Sequence, residues 1–230
     1  DIVISAADGH TTIFDMLEGK YVNEKIRGYY DQLPIFPPVI YVALGVARSF
    51  DGLPSSANGV NYLLDEPVII AGQELGRLSV HIYNFDPSLA PEGKTLLTLM
   101  IDSNYEYWKQ LSEDPERYKA EKERIADVVV ASLDRRFPGL AAQVEMRDVA
   151  TPMTFERYTG NWQGTYEGWL ITTKNLRMRM SKTLPGLANF YMAGQWVQPG
   201  GGLPPAVMTG RHVAQIICKN DKKKFVTSTP

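Results

Sequence analysis

The sequence is poor in the residues that most often hold metals or cross-link chains. It has one cysteine, Cys218, and three histidines in 230 residues. A single cysteine excludes an internal disulfide and fits a reducing, cytoplasmic setting. His10, His81 and His212 are far apart and lack any spacing such as His-x-x-x-His, so no metal site is expected. No apolar run reaches the roughly 18 residues that a membrane-spanning helix needs. Charge is nearly balanced, with 24 Lys and Arg against 26 Asp and Glu. The basic excess that marks nucleic-acid binding is missing, so no such partner is expected. No Gly-Lys-Ser/Thr follows the glycine-rich segment at 194–210, so that segment is not a P-loop. Neither Asp51-Gly52 nor Ser55-Ser56 sits in a Gly-x-Ser-x-Gly elbow, which leaves a serine hydrolase without support. The dinucleotide fingerprint Gly-x-Gly-x-x-Gly is also missing after the first strand. No internal repeat is seen, and no secretory signal is expected. The opening Asp1-Ile2-Val3-Ile4-Ser5 reads as a strand in mid-domain, so the chain is expected to be a piece of a longer protein.

What is present is an ordinary globular composition: 44% hydrophobic, 22% charged and 10% aromatic. That suffices for one large domain or two small ones. After the first strand, Thr11 or Thr12 is placed to cap a helix through Leu17 that stops near Gly19. Pro34, Pro37 and Pro38 demand an extended or looped stretch. Val39–Leu44 is continuously apolar and β-branched, as a central strand would be. Short strands are expected at 62–64, 68–70, 78–83 and 96–101, with Asp86–Gly93 as a hairpin connector. Residues 39–101 therefore read as a mainly antiparallel sheet. The period then changes. Ile125, Val129, Leu133 and Phe137 recur every four residues, Asp114-Pro115 supplies a cap and first-turn proline, and Pro138-Gly139 a stop. A strand at 144–149, a capped turn at Thr151–Thr154, a buried strand at 187–194 and a helix from about Pro205 to Cys218 complete the reading. The tail from Lys219 to Pro230 is polar.

The densest signal lies between that last strand and helix. Eight of the seventeen residues from Gly194 to Gly210 are Gly or Pro. A strand, a glycine loop and a helix start together suit an anion or a planar polar ring. Glycine lets backbone approach a ligand, and the helix end offers unpaired N–H groups. The same pattern serves equally well as a structural corner. Pro204 and Pro205 fit a first helical turn.

Asn189–Gln195 followed by Pro199-Gly200-Gly201-Gly202-Leu203-Pro204 resembles the C-terminal flavin-binding motif of the phytoene desaturase and carotenoid isomerase family. That family lies within the wider amine-oxidase-like flavoproteins. Three further stretches agree in the family's order. They are Asp1–Asp8, ending in the Ala7-Asp8 pair near the flavin, then Asp86–Lys94, and then Ala150–Phe155 with Gly164–Trp169. The resemblance implies an α+β fold. A mainly antiparallel or mixed sheet packed with helices would form a substrate domain. A C-terminal strand, glycine loop and helix would belong to an incomplete FAD-binding domain. Residues 1–20 would end the FAD-binding domain, 21–150 form the substrate domain, 151–218 return to the FAD-binding domain, and 219–230 form the tail.

The resemblance further implies an FAD-dependent oxidoreductase that desaturates, saturates or isomerises long apolar polyenes or related lipids. Ala7, Asp8, Gly194 and Gln195 would lie beside the cofactor, the last two at its ribityl and pyrophosphate. Gly200, Gly201, Gly202, Leu203, Pro204 and Ala206 would cover the pyrimidine side. Many relatives carry an acidic residue where this chain has Gln195, whose amide still hydrogen-bonds a hydroxyl. The absent fingerprint implies that a dinucleotide-binding N-terminal half completes the enzyme. Tyr158, Trp162, Tyr166 and Trp169 are either core packing or the apolar lining of a substrate channel. His10 follows the Ala-Asp pair and is the histidine best placed to approach the cofactor. No acid–base pair stands out, so no catalytic residue is named. The lysines at 219 and 222–224 suit solubility or peripheral contact with an anionic membrane. The alternatives are an amine-oxidase-like flavoenzyme with another substrate, or a catalytically silent domain that binds an apolar ligand.

Overall fold

The computed structural model describes residues 1–54 and 59–227. Ser55-Ser56 therefore lies outside the described residues, as do the last three of the tail. In chain order the elements are β1 (Val3–Ser5), α1 (Glu24–Gln32), β2 (Val39–Val46), β3 (Gly59–Ile70), β4 (Gln73–Ile82) and β5 (Thr95–Asp102). There follow α2 (Tyr105–Leu111), α3 (Pro115–Arg136), β6 (Val144–Ala150), α4 (Pro152–Thr159), β7 (Phe190–Met192) and α5 (Leu203–Asn220). The chain divides into two compact units. A central unit spans Pro37–Phe155, and a terminal unit combines Asp1–Phe36 with Glu156–Pro230. The fold is mixed α and β, with an antiparallel sheet as its largest element.

In the central unit five strands pair in the order β3-β4-β5-β2-β6, every pair antiparallel. Alternation along β2 sends Val42, Leu44 and Val46 to one buried face, where Ile125, Val129 and Leu133 of α3 join the same core. The four-residue recurrence of that helix is thus its buried stripe. Asp114 caps it by accepting the Arg117 N–H at 3.1 Å, and Pro115 takes the first turn. Gly139 closes it with φ of 86°. Trp108 of α2 is fully buried, its indole N–H donating to Ser103 Oγ at 2.9 Å.

Several expectations are corrected. The segments 62–64 and 68–70 are one strand, β3, with a register shift between Leu63 and Val68. Pro67 and the charged Asp65-Glu66 interrupt the apolar pattern but not the strand. The strand at 187–194 contracts to β7, because Asn189 is left-handed with φ of 56°. Helices α1 and α2 were not foreshadowed by apolar spacing. Each starts at an asparagine, Asn23 and Asn104, whose side chain accepts a backbone N–H three residues on.

In the terminal unit, β1 and β7 form a parallel pair, Val3 opposite Phe190 and Ser5 opposite Met192. Tyr191 and Ala193 pack with Val213 of α5. After β1 the chain makes a π-helical turn, Thr11–Met16. The expected threonine cap is absent there. His10 holds the cap position without a side-chain bond, and Asp8 Oδ1 accepts the Thr11 N–H at 2.8 Å. Thr12 instead shares a 2.9 Å hydroxyl contact with Ser5.

Candidate functional site

The glycine segment begins where β7 ends. Gly194 has φ of 99°, and its N–H donates to Thr209 Oγ1 at 2.8 Å. That threonine, fully buried on α5, in turn donates to the Ala206 carbonyl at 3.0 Å. The strand end and helix start are thereby tied together. A short 3-10 turn at Gln195–Val197 follows and buries Trp196 and Val197. Three successive glycines are then left-handed: Gly200 at φ 123°, Gly201 at 60° and Gly202 at 70°. Only glycine takes such a run without strain. Gly202 is the N-cap of α5 and brings no capping side chain. Pro204 and Pro205 lack an N–H, so Leu203 carries the donor left in the first helical turn. Donors toward the loop therefore come from the glycine backbone and Leu203, and not from the second and third helical positions.

What sits against these glycines is specific. A side chain at Gly201 would meet the Glu167 carboxyl carbon at 2.7 Å and Phe36 Cε2 at 2.8 Å. A side chain at Gly202 would meet Glu167 Oε1 at 2.9 Å. Glu167 therefore lies along the loop at the start of α5, where the positive end of the helix dipole favours a carboxylate. Burial nonetheless raises its pKa above the ordinary glutamate value. Gly200 is open by comparison, with only Ile171 Cδ1 at 4.0 Å, and its N–H donates to the Trp169 carbonyl at 3.1 Å. Leu203 and Val207 are largely exposed.

Asp8 is buried, and both its oxygens take backbone donors. Oδ1 accepts from Thr11, and Oδ2 accepts from Trp162 at 2.9 Å across the sequence. Its carboxylate anchors β1 to the stretch that precedes the glycine loop. Ala7 beside it is exposed. Gln195 is half-buried, and its amide N–H donates to Asn161 Oδ1 at 3.3 Å, which leaves its own carbonyl oxygen as an acceptor. Ala206 is half-buried and Pro204 exposed.

The four aromatic candidates do not form one wall. Trp162 stacks flat on His10, with centroids 5.0 Å apart and planes 5° apart. Trp169 is fully buried and meets Tyr30 at 5.0 Å and Trp196 at 5.1 Å. Its indole N–H donates to the Trp196 carbonyl at 2.9 Å. Tyr166 pairs instead with Phe36 at 5.9 Å. Tyr158 is 76% exposed, with Arg157 over its ring. Sequence spacing gave no sign of Tyr30, Phe14 and Trp196, which come from distant segments to complete the cluster. Burial, and second the Asp8 carboxylate, raise the Tyr30 pKa far above the ordinary tyrosine value. A cavity beside this cluster, lined by Ile13, Tyr30, Leu184 and Met192 among others, holds only about 20 Å³. That is room for a single water. Lys182 is buried nearby. Its ammonium donates to the Met180 carbonyl at 3.0 Å and to the Val197 carbonyl at 2.7 Å, and burial lowers its pKa. Among the described residues no group of three or more His, Cys, Asp or Glu could hold a metal ion.

A family model for flavin containing amine oxidoreductases matches residues 1–218. Prolycopene isomerase of Arabidopsis thaliana is 25% identical over 210 residues, which is 90% of this chain and 35% of that protein. The neurosporene-forming phytoene desaturase of Cereibacter sphaeroides is 25% identical over 157 residues, 66% of this chain and 30% of that protein. The chain thus spans about a third of the length of these relatives. In fold it is similar to an oxidoreductase from Methanosarcina mazei. The TM-score is 0.52 at 16% identity, over 94% of this chain and 43% of the other.

Proposed function

The chain belongs to the flavin-containing amine oxidoreductases, and from that premise we propose that it is the substrate-side and C-terminal flavin-contacting portion of an FAD-dependent enzyme. Its substrates are carotenoid-like polyenes or other long apolar lipids, which it desaturates, saturates or isomerises. In this reading residues 1–20 and 151–218 belong to the flavin-binding domain and 21–150 to the substrate domain. A dinucleotide-binding N-terminal half completes the enzyme, in keeping with the chain's third of its relatives' length.

The observation that carries the proposal is the left-handed run Gly200-Gly201-Gly202, set between β7 and the uncapped start of α5. The backbone N–H groups that end at Leu203 would meet the carbonyl edge of a pyrimidine ring. Gly201 is already filled by Glu167 and Phe36, so its role is to let these two side chains close over the loop. Gly200, Gly202, Leu203 and Ala206 then carry the ring contact. Gln195 offers its free carbonyl oxygen to a ribityl hydroxyl, with Gly194 alongside. Asp8 acts through the Trp162 and Thr11 amides, holding the Ala7-Asp8 strand end against the cofactor. A bound isoalloxazine supplies hydride chemistry at a C–C bond without a strong protein base. That would account for a sequence in which no acid–base pair stands out. Trp162 and Tyr166, half-buried, and Tyr158, exposed, offer aromatic faces to an apolar substrate, while Trp169 backs them as core. No helix among the described residues is long and apolar enough to cross a membrane. Access to a lipid-soluble substrate would come through peripheral contact by the lysine tail.

The test is flavin titration of the chain alone and of the complete gene product. The chain alone is expected to bind FAD weakly or not at all, since half the site is missing. Tight stoichiometric binding would overturn the fragment reading, and a complete product purified without flavin would overturn the enzyme. In the complete product, Gln195→Ala should weaken FAD binding by about tenfold, the worth of one hydrogen bond.

A further inference from the structure

Charge is strongly segregated along this chain. Between residues 171 and 224 lie nine of its 24 Lys and Arg but only one of its 26 Asp and Glu, Asp221. The terminal unit gathers five cationic or titratable side chains from this stretch around one cavity of about 990 Å³. Arg177, Arg179 and Lys182 come from the irregular segment before β7, and His212 and Lys219 from one face of α5. No carboxylate lines the cavity among the described residues. Met178, Met208 and Ile216 supply apolar wall beside the charges.

Lys182 gives this arrangement its direction. It is 9% exposed, and its ammonium meets only the carbonyls of Met180 and Val197. Two of its three donors are used, and both partners are neutral. A buried cation without a counter-ion is costly. Carbonyl dipoles offset part of that cost, and an anion in the cavity would offset the rest. Burial already lowers the lysine pKa, the response expected of an ammonium without a charged partner. A cleft lined by one sign of charge draws anions toward it. Two arginines set two residues apart offer the forked donors that phosphate accepts in pairs.

We propose that this cavity is a phosphate-binding site, with the phosphate against Arg177, Arg179 and Lys182 and an apolar portion of its bearer along Met178, Met208 and Ile216. The site is separate from the glycine loop and does not rest on the flavin reading. A phosphate with an apolar bearer has two sources, an anionic phospholipid headgroup and a free organic phosphate.

Two probes distinguish them at pH 7.5 and low salt. Inorganic pyrophosphate is titrated calorimetrically into the FAD-loaded complete gene product, and that product is co-sedimented with phosphatidylcholine vesicles with and without phosphatidylglycerol. The paired variant Arg177→Gln/Arg179→Gln changes two exposed side chains and is expected to keep the fold, checked by circular dichroism. Pyrophosphate binding weakened tenfold or more in this variant supports the site with free phosphate as its ligand. Capture by anionic vesicles alone, lost in the same variant, supports it with a lipid headgroup as its ligand. Lys222→Gln/Lys223→Gln/Lys224→Gln is the control for unspecific attraction by the tail. Binding abolished by the tail variant and untouched by the arginine pair would overturn the proposal. So would no binding of either probe. FAD titrated into the arginine variant of the complete product should be unchanged, which separates failure here from failure of the flavin reading.

Discussion

In the five-stranded sheet, β2 is paired along both edges and Val42, Leu44 and Val46 are fully buried. In the two-stranded pair, β1 has β7 as its one partner among the described residues, and Ile2, Val3 and Ile4 are about half exposed. The two sheets differ in kind as well as in size. Antiparallel neighbours such as β3 and β4 are joined by a turn at Ala71-Gly72, so their contacts are local and one face can stay wet. Parallel strands come from opposite ends of the sequence and normally have both faces covered. The central sheet is therefore furnished with a core by its own residues. In the terminal pair β7 is covered, with Tyr191 and Ala193 against Val213, while β1 stays about half exposed, in keeping with the proposal that further chain completes it. Stability in the terminal unit comes instead from tryptophan packing and from single polar anchors such as Asp8.

Three measurements test this contrast, beginning with the largest effect. Leu99 faces Val42 and Val80 across two strand pairs and is fully buried. Leu99→Ala should cost about 3 kcal/mol, read as lost hydrogen-exchange protection of the β2 and β5 amides. A loss under about 1 kcal/mol would break the claim that this core stands by close packing. Asp8→Ala should cost about 2 kcal/mol in the terminal unit, because the Thr11 and Trp162 amides lose their acceptors together. Asp8→Asn keeps one acceptor oxygen and should recover about half. Equal losses in the two variants would show that charge, rather than hydrogen bonding, carries the anchor.

The smallest effect is a difference in sign with pH. In the central unit, hydrogen bonding from Arg124, and after it from Tyr107, lowers the Glu121 pKa below the ordinary 4.5. The stability it contributes is present above that value and is lost as pH falls through the depressed one. In the terminal unit, burial raises the Glu167 pKa above 4.5. There the protonated form is favoured, so stability is greatest below 4.5 and falls as pH rises through the elevated value. Acidification from neutrality should first tighten the exchange of amides near the glycine loop, and only further acid should loosen those near Glu121. Glu167→Gln should remove the first response and leave the second.

How much of this was legible depended on whether the cause was local. The α3 helix was readable because its cap, its proline and its apolar stripe are all within the helix itself. The glycine loop was readable because its composition is extreme. Helix α1 was hidden because its sequence, Glu24–Gln32, has Gly28 in its middle and only Ile26 and Tyr29 buried. Pro67 breaks the apolar pattern of β3 in the sequence, while a register shift accommodates it in the strand. Within the candidate site, Asp8 was marked as a cofactor neighbour, but its bond to the Trp162 amide spans 154 positions. Nothing in sequence reports such a contact. Tyr30 and Trp196 joined the aromatic cluster for the same reason. Lys182 carries no sequence signal because its partners are carbonyl groups, which every residue possesses.

The ring cluster has an optical consequence. The chain has four tryptophans, and three of them lie together, Trp169 and Trp162 at 5.1 and 6.1 Å from Trp196. Indoles this close exchange excitation and couple in the near ultraviolet. Emission and circular dichroism in that band will therefore report chiefly on the terminal unit, with Trp108 as the lone emitter of the central unit. Replacing Trp108 with phenylalanine would turn the intrinsic light of the protein into a signal from one unit, already placed beside the loop proposed to meet a coloured cofactor.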